Sequence, residues 1–247
     1  MREREVELLA AAISKVKGHR WAKSADRSLN AFLSMKGDLY DTNQELMVVG
    51  RAVNDWRTRW MSRDSTVTAE GLALKALNDV TKGPGCPMLW VVKKWNGTSD
   101  GDPYKTRTSA FWRAAKKTIH QLPLQGLTRE NWPSHLVWSD LYKIAPSTGN
   151  PGRRLRRLQF ETCVNLLRVE IEMYRPKRVL FLTGLDWAAP FMKELKISLT
   201  KSPDLPLLQG VASFNGALIA IGPHPQGKKE DGLVAQISSY FSKPAVN

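Results

Sequence analysis

Blocks of apolar and polar residues alternate along the chain with spacings that predict strands and helices in turn. Short apolar runs between turn residues predict strands at residues 46–49, 88–92, 136–142, 178–182, 211–214 and 217–221. Longer stretches with apolar residues at helical spacing predict helices at residues 4–17, 67–80, 110–120, 153–174, 186 onward and 231–241. Because the two kinds of element alternate, we expect a three-layer α/β/α architecture with a mostly parallel central sheet.

Residues rich in Gly, Pro, Ser, Asn and Asp mark the predicted loops. The segments 81–87, 95–103 and 144–152 have this composition, and Asn215-Gly216 predicts a two-residue hairpin turn. Ligands of mostly parallel sheets bind beyond the carboxyl ends of the strands. Polar residues that follow strands are therefore the first candidates for a site.

Two strand-end segments carry side chains suited to chemistry. His224 lies between Pro223 and Pro225, just after the last predicted strand, and the prolines restrict its backbone. A histidine in a Pro/Gly loop is also a common turn residue, so position alone assigns no role. Asn54 and Asp55 follow the first strand, where an amide or a carboxylate can position water or a substrate.

Composition favours a polyanionic partner. The formal net charge is +14, from 37 Lys and Arg against 23 Asp and Glu, and nucleic acid is the leading candidate. Basic residues cluster at 153–157, 113–117 and 228–229. Several of the nine tryptophans adjoin a basic residue, and such rings either stack on bases or lie in the core.

Several classes of protein are disfavoured. Cys86 and Cys163 form no CxxC pair, which argues against a disulfide framework or a cysteine-based metal site, and the histidines have no ligand spacing. Phosphate-binding loops of the Walker and Rossmann types are absent from the sequence. We therefore expect no metal and no cofactor. The sequence has neither an apolar run of membrane-spanning length nor a signal peptide, so we expect a cytoplasmic protein with no membrane partner.

Five segments, in order, resemble motifs of the uracil-DNA glycosylase superfamily. They are Val48–Asn54, Ser109–Arg113, Trp138–Pro146, Tyr174–Gly184 and His224–Gln226. Phe111-Trp112 is similar to an element of the mismatch-specific thymine/uracil branch. We expect residues 1–247 to form a single domain. The resemblance covers residues 45–230 of it. It leaves out residues 1–40, expected as a helical extension, and 57–105, expected as an insertion.

The resemblance implies hydrolysis of the N-glycosidic bond of a base that has been flipped out of DNA. His224 would stabilise the departing base, and Asn54 or Asp55 would position water. Asp140, Trp56 and Phe111 would contact the base. We expect the protein to bind DNA as a monomer. The residues expected to contact DNA are Arg51, Arg153, Arg154, Arg156, Arg157, Gln226 and Lys228.

The departures from the family pattern decide the expected substrate. Arg51 and Ala52 occupy positions that usually hold a water-positioning amide or carboxylate, and Gln226 replaces a serine. Asp140 replaces the asparagine that reads the base. A carboxyl group pairs naturally with the N4 amino group of cytosine. We therefore expect a modified cytosine to be released faster than uracil, in DNA repair or in defence against foreign modified DNA.

Other interpretations stay open at this point. Asp140 can instead face a cation such as Lys143 without touching a base. The chain can be a uracil/thymine mismatch glycosylase, or a non-catalytic DNA-binding protein with a degenerate glycosylase fold. A small-molecule enzyme such as a nucleoside hydrolase is a further alternative, although it has no evident need for the large positive charge.

Overall fold

A computed structural model describes residues 2–43, 45–81, 85–97 and 104–243. It is a mixed α/β structure whose central, mostly parallel six-stranded sheet is flanked by helices, which confirms the predicted fold class. None of the helices in these ranges has the length and apolarity needed to cross a membrane.

The described residues form helices and strands in alternation, joined by short loops and 3₁₀ turns. The helices are α1 (Arg2–Gly18), α2 (Arg20–Ser24), α3 (Tyr40–Asn43), α4 (Ala69–Thr81), α5 (Trp90–Asn96), α6 (Ala110–Ile119), α7 (Arg153–Tyr174), α8 (Leu185–Glu194) and α9 (Glu230–Phe241). The strands are β1 (Ser28–Ala31), β2 (Met35–Lys36), β3 (Leu46–Ala52), β4 (Thr58–Met61), β5 (Leu136–Tyr142), β6 (Ile144–Pro146), β7 (Arg178–Phe181), β8 (Gly210–Phe214) and β9 (Ala217–Ile221).

The six-stranded sheet has the order β2-β5-β3-β7-β9-β8. Strand β7 runs parallel to β3 and β9, with Phe181 beside both Val49 and Ile221. The edge strands β2 and β8 run antiparallel to β5 and β9. The carboxyl ends of β3, β7 and β9 therefore share one edge of the sheet, where ligands of such sheets bind.

The chain divides into two compact units. The first comprises Met1–Ser34, Arg51–Lys82 and Ser139–Met173, and the second comprises Met35–Gly50, Gly83–Trp138 and Tyr174–Asn247. The division falls within β3, after Gly50, and within β5, after Trp138. That the whole chain is one domain stays a prediction.

The first unit contains an antiparallel sheet of order β4-β1-β6, together with α1, α4 and α7. Helix α1 packs against α4. Its buried residues Leu9, Ile13 and Val16 recur at helical spacing and are inaccessible to solvent. Burial of each such side chain contributes about 1.5–3 kcal/mol, so the apolar stripe rather than helix propensity holds α1 in place.

The second unit contains the apolar runs of β7 and β9, in which every residue except Arg178 is buried. Strands covered on both faces need such continuous apolar sequence. The hairpin turn between β8 and β9 has φ values of 50° at Asn215 and 78° at Gly216, which Asn and Gly tolerate best.

Trp112 lies at the centre of an aromatic cluster in the second unit. Its ring centroid is 5.6 Å from that of Trp90, 6.2 Å from that of Trp132 and 5.1 Å from that of Trp138. Five of the nine tryptophans, including Trp56 and Trp60, are buried. For these five tryptophans, the interpretation that the rings lie in the core is correct.

Three predicted elements differ from the structure. Residues 88–92 form a 3₁₀ turn and the start of α5 rather than a strand, because burial recurs at Met88 and Val91 with helical spacing and Gly97, at φ 78°, ends the helix. The loop predicted at 144–152 begins with β6, and the expected helical extension 1–40 also contains β1 and β2. The predicted loops 81–87 and 95–103, and with them the insertion, lie partly outside the described residues.

Candidate functional site

Asp140 lies in β5, where all seven residues are buried, and only 3% of its surface is exposed. No hydrogen bond from the described residues reaches its Oδ2 atom. Burial raises the pKa of Asp140 well above its ordinary value; Lys143 opposes this effect and Glu170 adds to it. A buried polar atom without a partner is costly in a folded protein, and ionisable groups with strongly shifted pKa values cluster at functional sites.

Lys143, between β5 and β6, is the cation nearest in sequence to Asp140, but its bonds go elsewhere. Its Nζ atom donates to Oε1 of Glu170 and to Oγ of Ser139, both at 2.6 Å. The Ser139 hydroxyl donates to Oε2 of Glu170 at 2.7 Å. The side chains of Lys143 and Glu170 are inaccessible to solvent. Glu170, not Asp140, is therefore the ion-pair partner of Lys143.

A second ion pair, between the half-buried Arg2 and the buried Glu5, lies in the same unit. Arg2 Nη1 donates to Oε2 of Glu5 at 2.9 Å, and the Ser34 hydroxyl donates to Oε1 of Glu5 at 2.8 Å. Burial raises the pKa of Glu5, while the Arg2 charge lowers it and the Glu170 charge raises it. The two pairs are thus close enough to interact. We call Arg2, Glu5, Asp140, Lys143 and Glu170 the buried charge cluster.

Sequence reasoning missed Lys143 and Glu170 as members of one cluster, although a signal was present. Glu170 occupies the buried stripe of α7 together with Cys163, Leu166 and Leu167. A charged residue at such a position needs a partner of opposite charge. The apolar sequence around Lys143 marks that lysine as the second unusual charge.

Asn54 and Asp55 follow β3 in an exposed turn. Asp55 has φ 53°, and its carboxylate pairs with Arg59 at the solvent surface. Arg51, at the end of β3, is half-buried. Trp56 is buried, with its ring edge against Phe32 at a centroid distance of 5.1 Å. These contacts account for Asp55 and Trp56 as turn and core residues, and their roles at a base stay predictions.

The basic start of α7 belongs to the first unit. Arg153, Arg154 and Arg157 are exposed, and Arg156 is half-buried. The first turn of the helix contains no acidic residue. Cations at a helix N-terminus oppose the helix dipole, so this arrangement costs stability and favours an anionic ligand.

His224 lies in the second unit, in the loop that follows β9 and three residues after the end of that strand. The loop is held at Gly222, whose N–H donates to Phe181 at 2.9 Å and whose carbonyl accepts from Gly184 at 3.0 Å. The N–H of Gln226 donates to Nδ1 of His224 at 3.4 Å. Because Nδ1 accepts, the proton of the neutral imidazole lies on Nε2. Gln226 and Lys228 are exposed in the same loop.

The other basic segment of the second unit is largely neutralised. Arg113 pairs with Glu230 at 2.5 Å, and Lys117 pairs with Asp231 at 2.7 Å. These pairs join α6 to α9 and leave less positive charge there than the sequence indicated. Phe111, in α6, is half-buried with its ring 5.1 Å from that of Trp112.

Thr183 and Gly184 form a bend that leads into α8. Gly184 has φ 84°, and the N–H of Leu185 at the start of α8 donates to the Gln209 side chain at 2.7 Å. That side chain occupies a donor that a phosphate would need. Within the described ranges, no group of three or more His, Cys, Asp or Glu side chains is arranged to hold a metal ion.

The predicted site residues therefore fall in both units. The first unit holds Asn54, Asp55, Trp56, Asp140 and the α7 arginines, and the second holds Phe111, His224, Gln226 and Lys228. No protein-family model matches the chain, and no curated protein matches it either.

Proposed function

We propose that this chain is a DNA glycosylase that hydrolyses the N-glycosidic bond of a flipped-out base, with a modified cytosine as its preferred substrate. The observation that supports this most is Asp140, a buried carboxyl group with an unused oxygen at the position where the related motif reads the base. A buried polar atom without a partner in the protein is a candidate contact for a ligand. The cation excess supports DNA as the ligand.

The remaining roles follow from the chemistry of the reaction. The transition state carries positive charge on the sugar and growing negative charge on the departing base. His224 donates from Nε2 to a base oxygen such as O2. Asn54 or Asp55 orients the attacking water, and Trp56 or Phe111 packs on the base. The arginines of α7, with Arg51, Gln226 and Lys228, bind the flanking phosphates.

The decisive experiment identifies released bases by mass spectrometry. DNA duplexes that carry uracil, thymine mismatches, or cytosines with different 5-substituents are incubated with the protein. We expect a free cytosine derivative to accumulate faster than uracil. Release of uracil alone would identify a uracil/thymine glycosylase. Tight DNA binding without any free base would favour a non-catalytic DNA-binding protein, and release from nucleosides but not from DNA would favour a nucleoside hydrolase.

The α7 arginines provide a separate test of the DNA partner. Replacement of Arg153 and Arg154 by Ala should weaken binding of all DNA sequences and lower the slope of log affinity against log salt by about two units, roughly one for each lost phosphate contact. Stability should not fall, since the change removes cations from a helix N-terminus. Replacement of the exposed Lys193 and Lys201 by Ala is the matched control. Equal slopes in the two double variants would place the DNA elsewhere.

A further inference from the structure

The buried charge cluster contains an unequal number of acidic and basic groups. Arg2 balances Glu5, and Lys143 balances Glu170. Asp140 is a third carboxyl group, and the charges that act on it, Lys143 and Glu170, already neutralise each other. An ionised Asp140 would leave one uncompensated negative charge in a cluster whose members, apart from the half-buried Arg2, are almost inaccessible to solvent. An isolated buried charge is energetically costly in a protein, so a buried carboxylate without a cation takes up a proton and becomes neutral.

We propose that Asp140 is a neutral carboxylic acid at physiological pH and acts as both donor and acceptor toward its ligand. Its O–H group donates to a ring nitrogen with a lone pair, such as N3 of a cytosine, and its carbonyl oxygen accepts from the adjacent exocyclic amine. The choice of base rests on the proposed function. The protonation state rests only on the packing of the first unit.

Protonation is tested by stability against pH. Above about pH 4 an unfolded aspartate loses its proton, while folded Asp140 keeps it, so unfolding releases a proton and rising pH favours the unfolded chain. The unfolding equilibrium constant of the wild type, divided by that of Asp140→Asn, should rise about tenfold per pH unit between pH 5 and 7. For the exposed Asp204→Asn the same ratio should stay constant. A constant ratio for Asp140→Asn would overturn the proposal.

A measurement on the wild type covers the case in which Asp140→Asn fails to fold. Protein labelled with ¹³C at aspartate carboxyl carbons is examined by infrared spectroscopy at pH 7. A C=O stretch of a protonated carboxyl group that shifts with the aspartate label supports a neutral aspartic acid. Glu5 does not contribute to the shifted band, because glutamate is unlabelled. The presence of carboxylate bands alone would overturn the proposal.

The donor role is tested by binding without cleavage. The probes are DNA duplexes with a hydrolysis-resistant 2′-fluoroarabino nucleotide that carries either cytosine or 3-deazacytosine, which lacks the N3 lone pair but retains the amine. We expect the wild type to bind 3-deazacytosine at least about tenfold more weakly, as for loss of one buried hydrogen bond. Asp140→Asn, which keeps a donor and an acceptor, should retain this difference, and Asp140→Leu should lose it.

The outcomes separate the two proposals. Equal binding of the two bases by the wild type would overturn the donor role. If neither modified duplex binds better than unmodified DNA while the stability ratio still rises with pH, the glycosylase proposal fails and the neutral Asp140 stands. If the cleavable duplexes of the mass-spectrometry experiment release a cytosine derivative but the stability ratio is constant, the glycosylase proposal stands and the neutral Asp140 fails.

Discussion

His224→Ala should lower the rate of base release by about 10²-fold or more and leave DNA binding nearly unchanged. A hydrogen bond to the departing base strengthens as negative charge develops there, so its loss affects the transition state more than the bound ground state. With Nδ1 as the acceptor of the Gln226 N–H, a neutral imidazole carries its donor on Nε2. Single-turnover release and equilibrium binding on the same duplex measure the two effects separately.

The fold should tolerate this change. His224 is only half-buried, and backbone bonds of Gly222 hold the loop. The matched control is His120→Ala, an exposed histidine at the end of α6, which should have wild-type activity. A fully active His224→Ala protein would contradict the role of His224 in base release.

The elements predicted with most success are those whose burial pattern is complete within one segment. Helix α7 was predicted at 153–174, where it lies, because its apolar stripe runs through six turns before Pro176 ends it. The hairpin at Asn215-Gly216 was correct for a similar local reason, since the turn needs two residues that tolerate positive φ.

The elements that sequence missed depend on partners far along the chain. Strand β1 has only four residues and pairs with β4 and β6, and Asn30 lies opposite both Arg59 and Ala145. Its sequence, Ser-Leu-Asn-Ala, carries no strand signal of its own. Two short antiparallel partners stabilise it, and no local pattern reports them.

The candidate site was predicted only in part for the same reason. Asp140 was singled out from its motif, but whether it faces a cation depends on Glu170, about thirty residues later in another element. Only the fold shows that Glu170 binds Lys143 and leaves Asp140 without that partner. The Trp56 ring adjoins Arg57 in sequence, and the Arg57 guanidinium carbon lies 5.7 Å from its centroid; only the fold shows that the ring is also buried against Phe32.

Disruption of the buried pair between Lys143 and Glu170 should have the largest effect on stability. We expect Lys143→Met to lower the free energy of unfolding by about 3–5 kcal/mol at pH 7, because Glu170 keeps a buried charge without a cation. Urea unfolding measures the loss. The exposed pair of Arg4 and Glu7, with side chains 62% and 64% exposed, supplies the control, and Glu7→Gln should change stability by less than about 1 kcal/mol.

The two halves of the pair should not be equivalent. Glu170→Gln removes the anion that neutralises Lys143, and a neutral Asp140 can then lose its proton and take over that function. Glu170→Gln should therefore lower the free energy of unfolding by less than Lys143→Met does. This difference should vanish when Asp140→Asn is added to both variants. The double variant Lys143→Met, Glu170→Leu leaves no unpaired charge and should recover most of the lost stability. Equal losses from both single variants, with or without Asp140→Asn, would show that Asp140 does not ionise to replace Glu170 as the partner of Lys143.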